Sequence, residues 1–162
     1  MARNAVEQLV SWLDDAHAME AGLVGILEAH ASHFSEIPEA AARIHQHIVE
    51  TQMHTQRLEQ CLTMLGTAPS GVKSTLSSVM GSIEGASTTV FRDRLVKDVL
   101  ADYASEQLEV GCYTALVSVA RALGYDEIAR LCEENLREDR AMAEWLLRQV
   151  PVIAAYDASK AA

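Results

Sequence analysis

The stretch Leu95 to Leu123, LVKDVLADYASEQLEVGCYTALVSVARAL, decides the fold. Val96, Val99, Leu100, Tyr103, Val110, Thr114 and Val117 recur at helical spacing and predict one long amphipathic helix. Glu106, Gln107 and Glu109 stand at the border of that stripe. A Glu-x-x-Glu pair beside an apolar face is costly unless something positive answers it. A lone buried carboxylate either finds a partner or takes up a proton.

The rest of the chain has the same character. It has 162 residues, enough for one domain with a real core, and 49% of them are hydrophobic. Only three are proline and few are aromatic, while Ala, Leu, Glu and Val abound, which predicts an all-α fold. The formal charge of −10 argues against nucleic acid and against an anionic membrane as partners. No long apolar run suggests a span or a leader, so a cytoplasmic protein is expected. Cys61, Cys112 and Cys132 lack C-x-x-C spacing and read as small core residues.

Three more long helices follow from periodicity and punctuation. The first is expected over about 4–33, where Leu9, Leu13, Ala16, Glu20, Leu23 and Leu27 share a face. Glu20 thus occupies the centre of an apolar stripe, where an unpaired glutamate is almost never found. The second helix is expected over about 37–65, with Ser35 or Glu36 as cap, Pro38 in the first turn and Gly66 as the stop. Ile44, Ile48, Thr51, Leu58, Leu62 and Leu65 form its core face. His47 and His54 border it, with Glu50 on the same stripe. His30, His33 and His45 read as solvated. The Leu95–Leu123 stretch belongs to a third helix over about 89–123, ended by Gly124. The fourth is expected over about 126–150, with Pro151 as its stop and a frayed tail over 152–162. Ile128, Leu131, Asn135, Asp139, Met142 and Leu146 share its inner face, with Glu134 and Glu138 on the border.

Residues 66–89 are rich in Ser and Gly, with a short helical pattern over about 72–84. This segment is long enough to run back along a bundle. A four-helix bundle with one long crossover, here between helices two and three, has the ferritin-like connection.

Acids from all four helices reach or border the core: Glu20, Glu50, Glu106 with Glu109, and Glu138, joined by His54. Oxygen donors with few imidazoles suit iron or manganese, and two such ions let carboxylates bridge. These six residues are the expected ligands of a two-metal (Fe or Mn) site, and Asp139, Glu134 or His47 are the substitutes. Known bundle sites take Glu-x-x-His from two helices. Here Met53 and Ala141 follow Glu50 and Glu138 by three, so the site is richer in carboxylate.

Four stretches together resemble the YciF/YciE-type family of ferritin-like, stress-associated bacterial proteins, similar in architecture to rubrerythrins. They are Asp15-Ala-His-Ala-Met-Glu20, His47-Ile-Val-Glu-Thr-x-x-His-x-x-Arg-Leu-Glu59, Glu106-x-x-Glu-x-x-x-Tyr113 and Leu123-Gly-Tyr. The resemblance implies a homodimeric helical bundle with a rubrerythrin-like pair of metals, held by Glu20, Glu50, Glu106, Glu109 and Glu138. It implies oxidation of Fe(II) or reduction of peroxide. The competing expectation is a non-catalytic bundle that works as a structural or protein-interaction module.

Overall fold

A computed structural model of the chain describes residues 2–70 and 93–160. It contains α1 (Ala2–His33), α2 (Pro38–Met64), α3 (Arg94–Ala122) and α4 (Asp126–Lys160). The expected short helix over 72–84 and the expected helix start at 89–92 lie outside the described residues. Among the described residues no helix is long and apolar enough to cross a membrane.

Pro38 opens α2 at the first helical position, where its missing N–H costs nothing. Ile37, not Ser35 or Glu36, is the residue before it, and no side chain caps this end. Gly66 (φ 75°) and Gly124 (φ 78°) close α2 and α3 in the left-handed region. The amides of Thr67 and Tyr125 then reach back to the carbonyls of Leu62 and Ala120.

The helices pair as α1 with α2 and α3 with α4, and the pairs close as α1 on α3 and α2 on α4. His30 and His33 face Asp102 and Asp98, so α1 and α3 are antiparallel. His17 and Glu20 face Glu59 and His54, so α1 and α2 are antiparallel too; α2 and α3 therefore run the same way, and the end of α2 and the start of α3 lie at opposite ends of the bundle.

Two apolar clusters fill the interior. One contains Leu9, Leu13, Leu58, Leu62, Leu116 and Leu131, and the other Leu27, Phe34, Ile44, Val99, Met142 and Leu146. Between them lie buried Glu20, His47, Thr51, His54, Glu106, Glu109, Asn135 and Asp139. The core is thus interrupted at mid-height by a polar layer drawn from all four helices.

Two sequence expectations change. The inner face of α3 is not the stripe through Leu100, Val110 and Thr114. It runs through Val99, Asp102, Glu106, Glu109, Tyr113, Leu116 and Ala120, and Thr114 is exposed. Because the acids lie at the centre of the buried face, hydrophobicity alone misplaces that face by a fraction of a turn. The other change is at Pro151, which does not end α4. A proline removes one helical hydrogen bond and crowds the carbonyl four residues back. Here that carbonyl belongs to Leu147, on the solvent side. Beyond it, Ile153 is fully buried, Tyr156 donates to Glu36 and Asp157 accepts from the Val96 amide. These contacts carry the helix to Lys160, so the tail is docked rather than frayed.

Candidate metal centre

Four of the six expected ligands meet in the polar layer. Glu20 of α1, His54 of α2 and Asp139 of α4 converge, with their ligand atoms within 4.8 Å of one another. His47 of α2, Glu106 of α3 and the same Asp139 form a second such group. Asp139 therefore belongs to both. His54 Nδ1 lies 3.2 Å from Glu20 Oε1 and 3.4 Å from Asp139 Oδ1. His47 Nε2 lies 2.7 Å from Glu106 Oε1. Glu109, one turn along α3 from Glu106, is buried beside them.

Glu50 and Glu138 do not join either group. Each turns outward, holds the far nitrogen of one imidazole and is answered by an arginine. His47 Nδ1 lies 3.0 Å from Glu50 Oε2, which accepts from Arg43 at 3.1 Å. His54 Nε2 lies 2.8 Å from Glu138 Oε2, which accepts from Arg57 at 2.7 Å. The two halves are alike: arginine, carboxylate, imidazole, then the centre. A carboxylate on the far nitrogen fixes the ring's tautomer and orientation and makes the near nitrogen a better donor.

Glu134 also faces outward, toward Arg130 and Arg57. Asp139 was legible on the inner face beside Asn135 and Met142, but the sequence reading favours its neighbour Glu138. One residue is about 100° of helix, enough to exchange an inward carboxylate for an outward one. Read from Asp139, the residue three later is Met142, fully buried where a Glu-x-x-His helix would put its histidine. His30 and His33 were expected in solvent. Instead, His30 is buried against Asp102, and His33 bonds Asp98.

The layer holds more carboxylate than its protein partners satisfy. Among the described residues, six buried side-chain oxygens accept no hydrogen bond from the protein. They are Glu20 Oε2, Glu106 Oε2, Glu109 Oε1, both oxygens of Asp139, and Asp102 Oδ2. Five of the six surround the centre. Tyr113 uses its hydroxyl on Glu20 and accepts from Asn135 at 2.9 Å, which fixes one Glu20 oxygen and leaves the other open.

Protonation follows this imbalance. Burial opposes charge on His47, but Glu106 and Glu50 overcome it and raise the pKa to about 10. For His54, burial is likewise overcome by Glu138 and Glu20, again to about 10. Burial pushes Glu109 well above the carboxylate range, helped by the charges of Glu20, Glu106 and Asp139. Asp139 is pushed well up by burial and Glu20, against the pull of His54. Glu106 is raised by burial, with His47 opposing. On the outer side, burial raises Glu138 but His54 and Arg57 outweigh it, to about 2. Glu50 is also lowered, as His47 and Arg43 outweigh its partial burial. Protons thus collect on the inner groups, where positive charge is wanted, and the outer acids stay ionised. A hard cation suits this donor set: buried carboxylate oxygens with open lone pairs, plus one imidazole nitrogen in each group.

Comparison with known proteins agrees with the fold. The family model described as Domain of unknown function (DUF892) matches residues 4–159. A crystal structure of a protein from Xanthomonas campestris pv. campestris is 34% identical, covers 97% of both chains and superposes with a TM-score of 0.82. The Escherichia coli stress protein YciF is 20% identical, with 96% of this chain and 98% of that one covered, at a TM-score of 0.78. The Desulfovibrio desulfuricans bacterioferritin, whose structure describes a diiron site in different catalytic states, is 17% identical. It covers 98% of this chain and 90% of its own, at a TM-score of 0.76.

Proposed function

This chain belongs to the DUF892 family, with a YciF-like, ferritin-like fold, and on that premise we propose that it binds two metal ions, iron or manganese, in the polar layer of its bundle. Glu20, His54 and Asp139 hold one ion, and His47, Glu106 and Asp139 the other. Asp139, common to both groups, would be shared between the ions, and Glu109 would be a spare carboxylate. Glu50 and Glu138, expected as ligands from the sequence, act by orienting His47 and His54. When bound, such a pair would supply redox chemistry in which Fe(II) is oxidised to Fe(III) and peroxide, the electron acceptor, is reduced to water. The residues around it bind, orient and exclude water: Tyr113 and Asn135 position Glu20, and the apolar clusters above and below keep the layer dry. We take the working form to be a cytoplasmic homodimer, and the likeness to a stress protein supports a part in stress response.

One observation carries this reading. A single fully buried aspartate, with neither oxygen hydrogen-bonded, lies within ligand distance of two separate imidazole–carboxylate pairs. Without cations, four neighbouring carboxylates share two imidazoles, and such a cluster is costly to bury. Metal analysis of untagged protein tests it. About two Fe or Mn per chain are expected, as in two-metal sites, and a chelator should lower the melting temperature. Protein that carries no metal, takes none up and melts alike with and without chelator would refute the proposal and leave the non-catalytic bundle.

A further inference from the structure

Two thiols face each other across the seam between α2 and α4. These helices are antiparallel, and their contacts set the register: His54 meets Glu138, and Arg57 meets Asn135. One turn onward along α2 stands Cys61, and one turn back along α4 stands Cys132. The register thus brings the two side chains opposite one another, and the Cys132 thiol is hydrogen-bonded to Cys61. Both are buried in the apolar cluster that contains Tyr113. Cys112, on α3, packs elsewhere, against Met19 and Leu23.

The pair stands close to the proposed centre. Cys61 is seven residues from His54, and Cys132 is seven from Asp139. That is two turns, about 10 Å along each helix. Tyr113 fills the space between. Its hydroxyl meets Glu20 and Asn135, its ring meets His54 edge-on at 6.1 Å, and its body packs in the cluster of the thiols. The hydrogen bond to Cys61, together with burial, pushes the Cys132 thiol far above its ordinary range. A buried thiol that keeps its proton is a poor nucleophile. Direct attack on peroxide is therefore slow, and fast oxidation of the pair has to run through the centre.

We propose that Cys61 and Cys132 are a two-electron donor to the centre and close a disulfide between α2 and α4 when peroxide is reduced there. The inference rests on the metal reading above. One peroxide and two thiols give one disulfide and two waters. Two S–H bonds and the O–O bond break, and one S–S bond forms. The thiols lose two electrons and two protons, and the peroxide takes up both. Sulfurs already in hydrogen-bond contact need only close to about 2.05 Å. The rival arrangement is a pair of small core side chains with no part in redox chemistry.

Thiol chemistry, read apart from turnover, tests this. Untagged protein is reduced, desalted without air and loaded with Fe(II), beside a chelated sample and the variants Cys132→Ser and Cys112→Ser. Each receives a few equivalents of hydrogen peroxide. Free thiols, intact mass and disulfide-linked peptides are followed in time. The loaded parent should pass from three free thiols to one, lose the mass of two hydrogens and yield a peptide linking Cys61 to Cys132. Cys112→Ser should form the same link, and Cys132→Ser should form none. The chelated parent should oxidise at least tenfold more slowly. Three free thiols in the loaded parent, a disulfide that includes Cys112, or equal rates with and without metal would overturn the proposal. Metal content of the same samples separates the two readings. About two ions per chain beside three unoxidised thiols sinks the donor role alone, whereas no metal uptake sinks the centre and the donor role with it.

Discussion

Asp139→Asn keeps the shape of a fully buried side chain and removes the charge that both ligand groups share. If Asp139 bridges two ions, this one change should empty both positions. Ligand present at a hundredfold excess over Kd stabilises a fold by ~2.7 kcal/mol. For a domain of this size that is worth about 5–11 °C in melting temperature for each ion. The parent should show such a rise when Mn(II) or Fe(II) is added anaerobically, and Asp139→Asn should show almost none. Glu138→Gln is the control. Its carboxylate sits on the far side of His54, where loss of an orienting acid costs about 10- to 100-fold in affinity. At the same metal concentration it should keep a rise of roughly 1–6 °C for its ion. Without metal, Asp139→Asn should melt no lower than the parent, because it relieves repulsion with Glu20 and Glu106. Scanning fluorimetry reads the shifts, and elemental analysis of gel-filtered protein reads the ions. Two ions per chain in Asp139→Asn, or a greater loss from Glu138→Gln than from Asp139→Asn, would refute the bridging role.

Two further outcomes follow from the same structure. In metal-free protein, the raised His47 and His54 contribute stability that is complete below pH 6.5 and is lost as pH rises through about 10. Glu109 and Asp139, also raised, cost stability once pH passes their ordinary carboxylate range. Both signs agree, so the melting temperature with chelator should fall from pH 6.5 to pH 10 and should fall less with Mn(II) bound; a flat chelator profile would count against the charge arrangement. Ile153→Ala probes the helix beyond Pro151. Loss of a fully buried isoleucine should cost about 2–5 kcal/mol in urea unfolding, whereas a frayed tail would cost almost nothing.

The spacing of apolar residues was enough to read a bundle of four long helices, because burying one stripe per helix leaves few other arrangements. Glycines at 66 and 124 and the proline at 38 mark helix ends by backbone geometry alone. Glu20 was legible as well, since it interrupts a stripe that otherwise reads as leucine and alanine. The choice between Glu138 and Asp139 was not. Both lie near the inner face, and which one points inward depends on how α4 is rotated against α2 and α3. That rotation is a property of the packed pairs, set by Met142, Leu146 and their partners across the bundle. The same holds for α3, whose buried acids blur its hydrophobic contrast.

His30 and His33 show the limit most clearly. Nothing within α1 distinguishes them from solvated histidines. Their partners, Asp98 and Asp102, lie more than sixty residues away in sequence. Local sequence determined that this chain forms four amphipathic helices carrying more acid than a core tolerates. Only the tertiary structure decided which acids face one another, because a helix presents its residues at fixed angles and its neighbours decide which angle is inside.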